Sequence, residues 1–317
     1  GISSMEFLIS PNFWSSVLAS TTPVLLATLA ANIMTKAGMF NLGIEGTMLM
    51  CALAGVLASA FTGSLFLGAL LGVLLGILVS FVLGYFILKM NAPMNACGVA
   101  INLAATGGTV FILAMVCGSK NNSTSIVSAS FPNINIPILK DIPVLGQILS
   151  GQNFVTYLSW IFVALTALML YGTRLGVNIR AVGENEEAAR SAGINVLLTK
   201  FIALALCGVF CALAGAHLSL GQLQGTFAEN MSNNRGYIAF ACVIFGAANP
   251  PKAYLAALMF GFFDAIGLRL QEYLSADLTN LIPYVITVVM MVYVVVRAQQ
   301  RKKHRARSAL AQKGKSA

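Results

Sequence analysis

An acid set among glycines is the first residue that could do chemistry. KAGMFNLGIEGTMLM, Lys36–Met50, holds Glu45 between two long apolar runs, in a chain of 317 residues with ten Asp and Glu in all. Two readings stay open. If a helix starts near Thr47, Glu45 stabilises its positive N-terminal end just outside the lipid. If the helix is broken at membrane depth, Glu45 faces a polar path, because intramembrane acids gather along substrate routes.

A second segment, TRLGVNIRAVGENEEAARSAGINVLLTK (173–200), is charged and long. Its centre reads as one short helix over 183–193, with Asn185 as N-cap, Glu186 and Glu187 at the positive end of the dipole, and Gly193 as the stop. Ala188 and Ala189 favour the helix and add little bulk. A solvated connector is the plain reading, but helix connections need only about two to eight residues. The excess length points to docking on a partner. A third segment, GQLQGTFAENMSNNRGY (221–237), offers Gln222, Gln224, Glu229, Asn230, Asn233, Asn234 and Arg235 at the mouth of an apolar run. Amides there can both donate to and accept from hydroxyls and heterocycle edges; a solvated loop is the alternative.

Other polar residues carry less. His217 reads as a packed or snorkelling side chain, and Asp264 pairs on paper with Arg269 five residues on. Cys51, Cys97, Cys117, Cys207, Cys211 and Cys242 lie in or beside apolar runs without a Cys-x-x-Cys pair, as small buried thiols do. No catalytic triad, paired catalytic acids or His-x-x-x-His spacing appears, so neither a catalytic set nor a metal site is expected. No Gly-x-x-x-x-Gly-Lys-Ser/Thr loop is present, so the chain does not bind ATP through that device.

The elements that must position these residues are apolar. Hydrophobic residues make up 58 % and charged residues 9 %, against roughly 25 % charged in soluble domains, which excludes an ordinary soluble protein. The pattern is an all-α, polytopic bundle. Apolar runs near 14–35, 47–62, 65–88, 97–118, 154–171, 200–220, 236–248, 253–268 and 281–297 predict about nine spans (eight to ten), since a crossing takes about 20 residues. Short or broken helices are expected near 36–46 and 231–250.

Residues 1–297 form one transmembrane domain, followed by a basic tail, 298–317. Eight of the nineteen Lys and Arg lie from Arg297 onward. That clustering reads as a cytoplasmic anchor on anionic lipid rather than a nucleic-acid arm. Counting back from an inside tail puts 173–199, Asn249–Lys252, Lys36 and Lys89 inside. The loop 119–153 falls outside, as does the N-terminus. The start, GISSMEFLIS, has neither an initiator Met nor a cleavable signal pattern and reads as a processed or engineered end. A faint internal echo links GMFNLGIEGTMLMCALAGVLAS with RGYIAFACVIFGAANPPKAYLAALMFGFF, each pairing a Gly-rich break with a small-residue helix, as in transporters built from related halves.

FNLGIEGTMLM (40–50), RAVGENEEAARSAGINV (180–196) and the stretch 212–271 together resemble the integral-membrane permease subunit of bacterial ABC importers for nucleosides and simple sugars. Asn-Leu-Gly-Ile-Glu-Gly is similar to the nucleoside branch; sugar permeases more often carry a Gly-Gly-Ile-Asp-Leu type of segment. The resemblance implies two permease subunits, here a non-identical pair, lining one path in the bacterial cytoplasmic membrane. It also implies an ATPase with two nucleotide-binding modules that hold ATP and Mg, and an external or periplasmic binding (lipo)protein. Gly183, Glu184, Asn185, Glu186, Ala188, Ala189 and Gly193 inherit the ATPase-coupling role. Phe40, Asn41 and Glu45, with Glu229 and Asn230 at the mouth, fall to the translocation path. A permease for a sugar such as ribose or galactose is one alternative, and a secondary transporter driven by an ion gradient is another.

Overall fold

The computed structural model describes residues 10–134 and 145–271 and isolated helical positions 285, 286, 288, 289 and 292. The chain divides into two compact units, 1–265 and 266–317; the second is described only by the end of one helix and those isolated positions. Residues 135–144 of the expected external loop and the 298–317 tail lie outside the described residues, as does the span 281–297 apart from those positions.

Helix α1 (Pro11–Lys36) starts where the Ser10 side chain accepts from the Phe13 N–H and proline occupies the first turn, a position where its missing N–H costs nothing. It is the central rod, buried along nearly its whole length. That burial explains an apolar pattern with no polar face. Helix α2 (Ile44–Thr62) ends at Gly63, whose φ of 66° suits a residue without Cβ. Helices α3 (Leu65–Leu88) and α4 (Met94–Cys117) follow.

The glycines of α3 repeat every fourth residue and face inward. A Cβ at Gly76 would lie 2.4 Å from the Gly208 carbonyl oxygen, and one at Gly68 would lie 2.7 Å from the Ser59 Cβ. Small residues at that spacing let backbones touch. The opposite sides of α3 and α4 carry exposed Leu, Phe and Val, as lipid-facing helices do.

A two-residue ladder, β1 (Asn133–Ile134) with β2 (Gln152–Asn153), and the short α5 (Leu145–Leu149) precede α6 (Phe154–Gly172). Then come α7 (Arg174–Glu184), α8 (Glu186–Ser191) and α9 (Val196–Ala216), which runs on through one wide turn, His217–Gln222. Helices α10 (Arg235–Phe245) and α11 (Pro250–Leu270) close the described part.

Seven helices among the described residues are long and apolar enough to cross a membrane, counting Val196–Gln222 as one. The expected run at 236–248 is α10, whose 11 residues reach only about 16 Å. Both expected breaks are present: the chain leaves helix at Lys36 and re-enters at Ile44, and α10 has irregular backbone on each side.

The described loops gather at two ends of the bundle. Gly183 lies against Lys36 and Gly38, and Ala248 shares a cavity wall with Lys36 and Glu184. At the other end the Ser123 N–H donates to the Phe227 carbonyl (2.9 Å) and the Phe131 N–H to the Leu220 carbonyl (2.9 Å). Gln152 Nε2 donates to Ser15 Oγ there, at 2.8 Å, so α1 begins at the end that holds loop 119–134.

Candidate functional site

Non-helical backbone inside a membrane survives only where protein or water satisfies it, so the hydrogen bonds of segment 37–43 locate the site. Asn41 is buried: its Oδ1 accepts from the Gly43 N–H (2.8 Å) and its Nδ2 points to the Cys207 sulfur (3.7 Å). Cys207 sits 11 residues along α9, roughly 17 Å from the start of a rod about 39 Å long. The break therefore reaches mid-depth. Asn102, on α4, seals the rest: its Oδ1 accepts from the Gly46 N–H (2.8 Å), and its Nδ2 donates to the Leu42 carbonyl (2.9 Å) and the Tyr237 hydroxyl (2.7 Å).

Glu45 takes a position between the two readings. It is 7 % exposed, in the first turn of α2, yet the helix end it caps is that of α10. Oε1 accepts from the Asn234 N–H at 2.8 Å and Oε2 from the Gly236 N–H at 2.6 Å. One carboxylate thus serves the positive ends of two half-buried helices. Gly236 is required, because a Cβ there would lie 2.7 Å from the Glu45 nitrogen. The two segments of the internal echo meet at this contact.

Next to it Arg235 Nη2 pairs with Asp264 Oδ2 at 3.3 Å, and Nη1 donates to the Met231 carbonyl at 3.1 Å. The expected Asp264–Arg269 pair gives way to this one because Arg235, at the head of α10, faces α11. Phe40 is half exposed and its ring lies 4.4 Å from that of Phe240.

Glu229 and Asn230 stand apart from this cluster. Both are exposed on the far loop, where the Glu229 N–H donates to the Asn121 carbonyl at 2.8 Å. Asn230, Asn233 and Asn234 adopt φ of 51°, 43° and 62°; asparagine tolerates that left-handed region, so these residues turn the chain back into the bundle. His217 is packed, 1 % exposed.

The expected short helix is α8, capped at Asn185 and stopped at Gly193, and residues 183 and 184 belong to the helix before it. Gly183 and Glu184 end α7, and Asn185 breaks the run and caps α8, its Oδ1 accepting from the Ala188 N–H at 3.0 Å. Gly193, at φ 81°, stops α8. Glu184, Asn185, Glu186, Glu187, Ala188 and Gly193 are exposed. Ala189 is 4 % exposed and packs on Val182 and Val196, so it seats α8 on its own chain instead of presenting outward.

Two contacts join this loop to the membrane helices. Glu186 forms an ion pair with Lys200, a buried cation on α9. Gly183 touches the chain just before the break: a Cβ there would lie 2.1 Å from the Lys36 carbonyl oxygen.

Sequence reasoning passed over Asn102, Lys200 and Asn32. Asn32 is fully buried in α1, and neither of its amide atoms has a hydrogen-bond partner. The signal was an amide within an apolar run for the first and last, and a lysine at a helix start for the second. Among the described residues no group of three or more His, Cys, Asp or Glu could hold a metal ion.

A bundle of membrane-spanning helices with a sealed intramembrane break and a projecting helical loop defines a polytopic transport protein. Residues 13–294 match the family described as branched-chain amino acid transport system / permease component. The chain belongs to that family of multi-pass permeases. It is 31 % identical over 302 residues to the guanosine ABC transporter permease protein NupQ of Bacillus subtilis, covering 90 % of this chain and 93 % of that one. Similarity to the putative glucose ABC transporter permease protein TsgC13 of Haloferax volcanii is 30 % over 310 residues, 90 % of this chain and 92 % of that one. A second guanosine permease protein of Bacillus subtilis, NupP, is 24 % identical over 273 residues, 82 % of this chain and 76 % of that one.

Proposed function

We propose that this permease carries nucleosides across the bacterial cytoplasmic membrane as one half of an ATP-driven importer. The observation that carries the reading is the double attachment of the 174–195 loop to the membrane part, through Gly183 on Lys36–Gly38 beside the break and through Glu186 on Lys200 of α9. An ATPase docks on the exposed surface around α8, formed by Glu184, Asn185, Glu186, Ala188 and Gly193; it holds the ATP and Mg, and this chain makes no bonds. Closure of the ATPase moves α8. Lys200 passes the motion to α9 and so to Asn41, while Gly183 moves the chain ahead of the break. A binding protein delivers solute at the end that holds Glu229 and Asn230, and the basic tail lies on the cytoplasmic side. Likeness to two distinct guanosine permeases of one organism supports a partner permease of different sequence.

An uncharged solute fits the break. The positive end of α10, where a substrate carboxylate would sit in a half-helix transporter, already holds Glu45. That filling favours nucleosides or sugars over amino acids. A carrier driven by an ion gradient needs a carboxylate that exchanges its ion, whereas both Glu45 oxygens bind backbone N–H groups and Asp264 is paired with Arg235.

Uptake of labelled guanosine, cytidine, ribose and leucine by a strain lacking this gene, with and without the gene restored, tests the assignment. Restored nucleoside uptake that stops when ATP is depleted is the expected result. Restored leucine uptake alone, or uptake driven by a gradient without ATP, overturns it.

A further inference from the structure

A cavity of about 550 Å³ opens between the end of α1, the end of α6 and α7, with Lys36, Tyr171, Val177, Arg180, Glu184 and Ala248 in its wall. We propose that it seats the phosphate of a membrane phospholipid whose acyl chains lie along the exposed apolar face of α6. The cavity borders the Gly183–Lys36 contact and shares Glu184 with the edge of the docking surface, and the inference stands whichever solute is carried.

Charge is the first support. Lys36 and Arg180 form none of the ion pairs found among the described residues, and Glu184 is the single acid in the wall, so the cavity is net positive. Arg180 Nε is buried without a hydrogen-bond partner. Its guanidinium lies over the Tyr171 ring at 5.3 Å, a geometry that fixes the plane and leaves N–H edges for an oxyanion. An orphaned buried donor beside a second cation is completed by an acceptor that brings negative charge and several oxygens. Phosphate does both.

The apolar neighbourhood selects the source of that phosphate. Ile161, Leu165, Leu168 and Tyr171 are exposed on α6, and their spacing of three and four residues puts them on one face that runs down to the cavity. Val177 continues the exposed apolar surface on α7. A free phosphate leaves this stripe unused; a phospholipid covers both, head in the cavity and chains on the stripe. Basic recesses between helix ends on the cytoplasmic side suit anionic headgroups. A lipid held there would brace Arg180 of α7 against Lys36, one turn from the Gly183 contact.

The test uses the full-length chain, purified in a neutral detergent and stripped of lipid, titrated with short-chain phosphatidylglycerol, phosphatidylcholine or inorganic phosphate, with bound lipid read by native mass spectrometry. Phosphatidylglycerol should bind at least about fivefold more tightly than phosphatidylcholine, and Lys36→Gln or Arg180→Gln should each weaken it about fivefold. Arg180→Lys, which keeps the charge but loses the planar fork stacked on Tyr171, should bind between Arg180→Gln and the unaltered chain, and the far-end Lys120→Gln should bind like the unaltered chain. If Arg180→Gln is not monodisperse, Lys36→Gln carries the test, since its neighbours lose no packed side chain. Equal binding of the two lipids, or neutralised variants that bind normally, overturns the site. Inorganic phosphate binding as tightly as phosphatidylglycerol overturns the lipid as its occupant, as does loss of bound lipid when the ATPase is added.

Discussion

Two regions of this molecule use the same residue types to opposite ends. At the break both polar side chains of 37–46 are turned inward, and Asn102 of α4 meets them: Asn41, Glu45 and Asn102 are 2 %, 7 % and 9 % exposed and bind backbone groups. In the α7–α8 loop Glu184, Asn185 and Glu187 face outward. An asparagine caps a helix in one place and replaces a missing helix in the other. Burial therefore decides what an amide or acid does here. Inside, it pairs backbone that would otherwise be unsatisfied in lipid; outside, it stays available to a partner.

The contrast predicts an order of effects. The largest belongs to Glu45→Ala, which leaves the N–H groups of Asn234 and Gly236 without acceptors at a cost of about 1–3 kcal/mol each. Thermal unfolding should drop markedly and uptake should be lost. Glu45→Gln, which keeps one good acceptor, should fall between, and normal uptake in it and in Asn41→Ala would remove the break from the transport path.

Ala189→Asp comes next. A carboxylate forced between Val182 and Val196 has no partner, so the melting temperature should fall by several degrees. The adjacent, exposed Ala188→Asp should leave folding within about 0.5 kcal/mol and impair ATPase docking. Equal melting losses in the two would erase the inside–outside distinction.

Gly183→Ala should follow, because its Cβ would overlap the Lys36 carbonyl at an overpacking cost of about 1–3 kcal/mol. Transport should fall more than stability if this contact transmits motion. Glu186→Lys faces Lys200 with a like charge, so substrate-stimulated ATPase activity of the assembled importer should fall several-fold, and the swap Glu186→Lys with Lys200→Glu should recover part of it. Smallest is Asn233→Gly, which keeps the positive φ. KM for uptake should hold steady; a tenfold rise would return that amide to a substrate-binding role.

How legible this was in the sequence depended on locality. Helix caps and stops such as Asn185, Gly193 and Gly63 act within four residues, and the sequence shows them directly. The short α10 and the break after Lys36 follow from segment length. Partners distant in the chain are not legible: the sequence offers Glu45 its own helix end or a polar path, and neither reading names residues 234 and 236, which its oxygens serve. Asp264 has Arg269 as its neighbour in sequence, while α10 brings Arg235 to it in space. The short helix capped by Asn185 and stopped at Gly193 is legible; that a separate helix runs up to Glu184 just before it is not, because Asn185 can end one helix as well as begin the next. Nothing in the local pattern turned Ala189 inward; Val182 and Val196, on either side of it in the chain, do so.

The capped carboxylate at mid-depth also bears on voltage. A charge that stays with its compensating helix ends while the bundle tilts transfers no net electricity through the bilayer. Moving one unit charge through 100 mV is worth about 2.3 kcal/mol, and a protein whose Glu45 and Asp264 travel with their own countercharges neither spends nor gains that work. Import of an uncharged solute through it should therefore run at the same rate in polarised and depolarised vesicles.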